Sequence, residues 1–409
     1  MPGLITRRQA TLWLTGAPTA LAACGSPGRE VSLPADWGEV LAQARGQIVH
    51  LLAWAGDPKI NAYIEWAGQE LQRRHGVTLR HVKTSDTSSL LTPLLADKTA
   101  GRATGGRTDL LWINGENFIA AKQAGLLFGP ITDRLPNWRL VDTENNPAFL
   151  TDFTVPTEGY ESPWGWAQLT FFHDAASTPA PPRSIPALLD YARAHPGRLA
   201  YPAPPDFVGV TFLKQALYEL SPGAAPFSTP AGQDFAAISA PLWAYLDALH
   251  PHLWRQGKAF PQNYPALRQL LEDREIDLAF AFNPAEASTA VGSGLLPATT
   301  RAYVLEGGTI RNAHFFAVPF NASSIAGALA AADFMLSPEA QARKADPGVW
   351  GDPSVLSLAK LSPEQRALFE ALPQGAAQPP PEQLARHLSE PHPSWHLALD
   401  NAWRARYAA

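Results

Sequence analysis

The chain has 409 residues, of which 46% are hydrophobic and only 17% charged, with a formal net charge of −5 and 13 tryptophans. A mildly acidic chain of this kind excludes a basic nucleic-acid binder and disfavours acidic surfaces as partners. A single cysteine excludes a disulfide framework, so stability rests on packed cores, and the length suffices for two domains of ordinary size.

The first element is MPGLITRRQATLWLTGAPTALAACGS. Arg7 and Arg8 precede an apolar run from Ala10 to Leu21, and the small Ala22 and Ala23 lead into Cys24. This order of charge, apolar run and small residues is that of an export signal spanning 1–23. The run is shorter than the roughly 20 apolar residues a membrane-spanning helix needs, and Gly16 and Pro18 interrupt it. Leu21-Ala22-Ala23-Cys24 resembles the lipobox of bacterial lipoproteins, which implies lipidation of Cys24 and a lipid-anchored location on the periplasmic side of a bacterial membrane. Two or more acyl chains hold a protein firmly where one does not. Thr6-Arg7-Arg8-Gln9 fits a twin-arginine signal as well as a general one, and both export routes stay open.

Residues 24–36, rich in Gly, Pro and Ser, read as a tether. A rhythm of strands and helices follows. Gln47–Ala55 is a β-branched apolar strand, and Asn61–Arg74 a helix with Ile64, Ala67 and Leu71 on one face, stopped by Gly76. Val77–Lys83 is a second strand, and Asp86 caps a helix bearing Leu90, Leu91, Leu94 and Leu95. Asp109–Asn114 is a third strand, followed by a helix from Glu116 to Gly125. This alternation predicts an α/β fold with a parallel sheet. Residues 37–162 form the first part of lobe 1. Residues 163–290 form a crossing segment (PWGWAQLTFF, 163–172) and lobe 2. In lobe 2 the predicted helices are one capped by Ser184 and one over Phe207–Leu220, with strands at Leu199–Ala203 and Ile276–Asn283. Residues 291–345 return to lobe 1 with alternating strands over Arg301–Phe320 and a helix over Ser323–Leu336. Pro373–Pro381 reads as an exposed linker, and 346–409 as C-terminal helices.

Ligands of open α/β sheets bind beyond the carboxyl ends of strands. Those ends supply Trp54, Ser85, Asp86, Asn114 and Glu116 from lobe 1, and Asp206, Phe282 and Asn283 from lobe 2. Trp166 and Gln168 in the crossing segment are placed to approach a ligand from the hinge side. Each has a plainer reading: Trp54 as core, Asp86 as a helix cap, Glu116 as a carboxylate on a helix dipole, Asn114 as a turn. Together they form the pattern a cleft needs, an apolar wall with a few fixed polar groups.

The stretches DLLWINGENF (109–118), YPAPPDF (201–207), FNPAEA (282–287) and FNASSIAGALAAADFMLSPEAQ (320–341) resemble the YnjB-like branch of extracellular solute-binding proteins. The resemblance runs from about Trp54 to the C-terminal helices. It implies a periplasmic-binding-protein type II-like fold, in which two hinged α/β lobes trap a small solute. It implies delivery of that solute to an ABC permease and its ATPase by a monomeric, lipid-anchored receptor. It implies neither an enzyme nor a cofactor.

Other motifs carry less. GRATGGRT (101–108) approximates a phosphate-binding loop, but it follows a helix and enters a strand, the reverse of the order such a loop requires. His250, His252 and His173 have no companions that make a metal site, and no nucleophile is paired with a base. The aromatic and carboxylate content of the predicted cleft suits an organic cation, thiamine-like or polyamine-like. A small anion such as sulfate or thiosulfate stays open, since Ser85 and Thr211 lie near helix starts. A ligand sensor with no transport role is a further alternative.

Overall fold

The computed structural model describes residues 33–85, 87–221, 225–373, 375 and 377–408. The predicted signal, Cys24 with the tether up to residue 32, and Asp86 lie outside them; the last tether residue, Asp36, instead caps the first helix through Glu39 N. In chain order the first part is α1 (Trp37–Ala44), β1 (Ile48–Trp54), α2 (Pro58–His75), β2 (Thr78–Thr84), α3 (Leu91–Thr99), β3 (Leu110–Ile113) and α4 (Gly115–Gln123), then the short β4 (Leu127–Phe128), β5 (Thr151–Asp152) and β6 (Val155–Pro156), and β7 (Glu161–Gln168). The second part is β8 (Thr170–Asp174), α5 (Ile185–Ala194), α6 (Phe207–Leu220), α7 (Phe235–Leu249), α8 (Tyr264–Glu272), β9 (Leu278–Ala281), α9 (Glu286–Gly292) and β10 (Thr300–Tyr303). The third is β11 (Thr309–Pro319), α10 (Ile325–Met335), α11 (Pro338–Ala345), α12 (Pro363–Glu370), α13 (Pro381–Leu384), β12 (His387–Ser389) and α14 (Pro393–Tyr407).

Local chemistry sets the boundaries. Asp57 accepts from Lys59 N and Pro58 opens α2; Gly76 ends it at φ 67°, a left-handed backbone that glycine takes without a Cβ penalty. Ser184 caps α5 through Ala187 N, and Asp206 caps α6 through Gly209 N. In lobe 1, β1 lies between β2 and β3, parallel to both. The long β11 returns antiparallel between β3 and β7. Lobe 2 has a three-stranded sheet, β10-β8-β9, antiparallel throughout, in which β8 and β10 adjoin the crossing chain. Each lobe has its own apolar core, one around Tyr63, Trp164, Phe316 and Leu329, the other around Phe171, Phe212, Phe280 and Trp395.

Three expectations are corrected. Leu199–Ala203 forms no strand: it makes one isolated bridge to Leu278, since Pro202, Pro204 and Pro205 remove the N–H groups a ladder needs. The proline-rich 373–381 stretch is not simply exposed. Ala377 and Pro379 are buried, and the Ala377 carbonyl accepts from Ala302 N at 2.8 Å. The C-terminal region likewise holds more than helices, because β12 joins the lobe 1 sheet alongside β11.

The chain passes between the lobes at Leu169 and again between β10 and β11; after α12 it crosses repeatedly, with Ala377 in the lobe 2 core, β12 in the lobe 1 sheet and α14 back in the lobe 2 core. Leu169 N bonds Ile310 O at 2.9 Å, so the first two crossings run side by side. Buried side chains satisfy the remaining backbone there. Gln215 accepts from Ile310 N and donates to Gly308 O, while Gln168 donates to Thr309 Oγ1 and Arg386 O. Beside them Lys214 of α6 pairs with Glu390 at 2.6 Å, and Glu390 also accepts from Asn312 of β11 at 2.9 Å. Lys214 and Glu390 are 1% and 2% exposed.

Removing one member of a buried pair strands the other's charge. Lys214→Met is therefore expected to lower unfolding free energy by about 3–5 kcal/mol in urea denaturation. The double variant Lys214→Met/Glu390→Leu should recover most of that loss; a double variant as unstable as the single one would refute the pairing.

Candidate functional site

Both lobes present strand ends and helix starts to the gap between them. From lobe 1, Trp54 ends β1 and Asp57 caps α2. Across the gap, Tyr264 begins α8; its ring centroid is 6.1 Å from that of Trp54, and its hydroxyl donates to Asp57 Oδ2 at 2.6 Å. Lys59 Nζ reaches Ser293 Oγ at 3.1 Å and the Thr289 carbonyl at 3.4 Å on α9 and just beyond it. Arg268 of α8 bonds Glu286 at 2.6 Å and Glu272 at 2.8 Å. Burial pushes the Glu286 carboxyl up, and the Arg268 guanidinium opposes the shift. Burial also lowers Lys59. Asn283 turns the chain into α9 by accepting from Ala285 N, and donates across the lobes to Trp350 O at 3.5 Å.

A second group lies at the starts of α4 and α6. Gly115 opens α4 at φ 54°, and a Cβ there would stand 2.6 Å from the Phe153 ring, so the helix starts here only with glycine. Gly115 N donates to Asp152 Oδ2 at 2.5 Å. Asn114 occupies the cap position without a side-chain bond, and Glu116 is half-buried in the first turn. On the other side, Phe207 begins α6 and packs edge-on against Phe282 at 5.4 Å and parallel to the His396 ring at 5.8 Å. The Lys214 ammonium sits 5.0 Å from the Phe153 ring centroid and 5.1 Å from that of Phe207, one ring from each lobe. Burial pushes the Asp206 carboxyl up to about 6, against the N–H groups of Gly209 and Val208 that favour its charge.

Of the sequence-predicted residues, Trp54 and Asn283 contact the other lobe, Phe282 packs on Phe207, and Asn114, Glu116 and Asp206 stand at the starts of α4 and α6. Ser85 is exposed at the end of β2. Trp166 and Gln168 are built into the hinge. The Trp166 indole donates to Ser354 O and carries the Arg311 guanidinium 3.9 Å above its ring. The Gln168 amide nitrogen serves Thr309 and Arg386. Sequence reasoning missed Phe153, Tyr264, Lys214, Glu390 and His396. Only Tyr264 had a local signal, the Asn263 cap that begins α8.

A family model described as bacterial extracellular solute-binding protein matches residues 66–373. Protein YnjB of Escherichia coli strain K12 is 44% identical over 373 residues, covering 91% of this chain and 94% of its own. Solved structures resemble it at lower identity. The Tp0655 (TpPotD) lipoprotein of Treponema pallidum aligns at TM-score 0.63 and 14% identity, covering 88% of this chain and 98% of its own. A putative spermidine/putrescine ABC transporter from Listeria monocytogenes gives 0.62 and 15%, covering 87% and 98%. The periplasmic binding protein AfuA from Actinobacillus pleuropneumoniae, with fructose-6-phosphate bound, gives 0.61 and 13%, covering 88% and 99%. At such identities these likenesses show the fold, which is the two-lobed type II-like architecture.

The Asp206 environment is directly checkable. Its folded pKa lies above the roughly 3.9 of an unfolded chain. Its contribution to stability is thus complete below that value and is lost as pH rises through about 6. Its carboxyl carbon should titrate by NMR with a midpoint of about 6. Asp206→Asn, which retains the cap, should lack this loss; a midpoint at the ordinary value would mean water reaches the site freely.

Proposed function

The chain belongs to the bacterial extracellular solute-binding proteins, which bind solutes and are not enzymes, and from that premise we propose that it captures a small organic cation between its lobes and delivers it to an ABC permease and its ATPase. One observation carries the choice of charge. Both helix N-termini at the gap are already taken by the protein's own carboxylates: Gly115 N of α4 by Asp152, and Gly209 N of α6 by Asp206. Those N–H groups are what a bound sulfate or phosphate would use. The Thr211 hydroxyl is also spent, on Phe207 O at 2.8 Å. An anion would meet Asp206 and Glu116, whereas a cation would be neutralised by them.

The aromatic faces point the same way. An ammonium beside a ring face gains about 0.5–2 kcal/mol, most where water is excluded. Phe153 and Phe207 already hold the Lys214 ammonium in this manner, and Trp54 and Tyr264 offer a second pair of faces, one from each lobe. Thiamine-like and polyamine-like solutes have the matching chemistry. Contacts from both lobes would stabilise the closed arrangement, so binding and closure are one equilibrium.

Unfolding and refolding the purified chain strips carried solute. Its melting midpoint against thiamine, thiamine phosphates, spermidine, sulfate, thiosulfate and ferric citrate then tests the reading. A hundredfold excess over Kd adds about 2.7 kcal/mol of stability. Thiamine or spermidine should shift the midpoint, and Trp54→Ala and Glu116→Gln should each weaken that binding at least about tenfold, or 1.4 kcal/mol, without unfolding the chain. A shift with an anion alone would overturn the cation reading.

The predicted lipobox supports a receptor held at the membrane by Cys24. Cys24→Ala should move the protein from the membrane fraction to the soluble fraction, and an unchanged distribution would remove the anchor.

A further inference from the structure

Under α4, the Asp152 carboxyl that meets Gly115 N has a neighbour with no part in this scheme, the Glu161 carboxyl. Asp152 and Glu161 are both fully buried. Asp152 bonds Gly115 N through Oδ2, but its Oδ1 has no hydrogen-bond partner. Glu161 has none at either oxygen. It begins β7 directly opposite Ala317, which in turn lies opposite Leu111 of β3. Residues directly opposite share a face of a sheet. Glu161 therefore points with Leu111 and Ala317 into the small apolar core formed with Phe118 and Ala121 of α4.

The surrounding charges do not neutralise the two groups. Glu116 of α4 and Glu390, ahead of α14, both act on Asp152 with the same sign. Asp152 acts likewise on Glu161. Lys122 of α4 is the cation that acts on Glu161, but its ammonium bonds Pro156 O at 2.7 Å and Glu158 at 2.9 Å. The Lys214 ammonium is committed to Glu390. A buried, unpaired carboxylate costs several kcal/mol, and such a group takes up a proton instead. A protonated acid also supplies a donor, which is what three oxygens without partners lack.

We propose that Asp152 and Glu161 form a buried proton-holding pair beneath α4: at neutral pH at least one of the two is a neutral acid. This does not depend on which solute is bound. Burial raises both acids well above the ordinary carboxylate range. The sign follows: the folded state binds more protons than the unfolded one, so the pair's contribution to stability is complete below the unfolded pKa and is lost as pH rises towards the folded value.

The test is the melting midpoint of the solute-free chain from about pH 5 to about pH 9 at fixed ionic strength. The wild type should lose several degrees as pH rises. Glu161→Gln replaces the acid's O–H by a permanent N–H donor; it should give a flatter profile and a midpoint at the alkaline end no lower than wild type. Infrared spectra of the wild type alone provide a second readout, independent of whether the variant folds. A protonated-carboxyl C=O band should be present at neutral pH and fade on alkalinisation. Equal slopes in the two proteins, or no such band, would overturn the proposal. So would a midpoint that follows sodium or calcium at constant pH, which would replace the proton by a bound cation.

Discussion

Everything in this molecule depends on carrying a polar backbone through a buried hinge. A strand between two lobes must exclude water to transmit force, yet each buried N–H and C=O needs a partner. Here Gln215 and Gln168 serve Gly308, Ile310, Thr309 and Arg386, and the Lys214–Glu390–Asn312 cluster fills the space beside them. With these bonds made, α6 cannot slide along β11, and the start of α6 keeps its place against the start of α4. The aromatic pairs across the gap are downstream of that register.

The same geometry explains why carboxylates dominate the gap. Two helices aim their positive ends at it, and both ends are met by acids from the chain itself. The helix dipole lowers the cost of burying these acids, and burial raises their proton affinity. The balance differs from site to site. Glu286 is burdened by burial but supported by Arg268; Asp206 has only backbone N–H groups; Glu161 has neither. Charge is thus graded across a short distance, from paired at the edge near α8 to unpaired beneath α4.

Many strands and helices of both lobes were legible because each carries local instructions. The apolar run of β1, the Asp57–Pro58 start and Gly76 stop of α2, and the Ser184 cap of α5 act within a few residues. The strand-end rule picked out Trp54 and Asn283, which do contact the other lobe. The rest depends on distant partners. Lys214 reads as one more helix residue until Glu390, 176 positions away, closes on it. Phe153 lies in a turn with no period, and only the space that Gly115 leaves open gives its ring a place. The misread stretches share a cause: proline removes donors, so Leu199–Ala203 could not pair as a strand, while a Pro-rich composition did not keep Ala377 and Pro379 from packing.

The C-terminal segment sets how the lobes can move. β12 is hydrogen-bonded into the lobe 1 sheet, whereas α14 buries Trp395, Leu399 and Trp403 in the lobe 2 core. Only residues 390–392 separate them, and within that stretch Glu390 is pinned by Lys214 and Asn312, while His392 N bonds Phe227 O at 2.7 Å. A wide swing with its pivot elsewhere would tear one of these attachments. Opening must therefore turn about an axis close to Leu169, residues 304–308 and Glu390, where relative displacement is least. The half-buried Tyr264–Asp57 bond and the Lys59–Ser293 bond join the lobes outside that axis, and a turn about it would have to break them. The buried Lys214–Glu390 pair lies beside that axis and would stay closed through such a turn, so that the cost of desolvating it would be met once, on folding, not at each capture of solute.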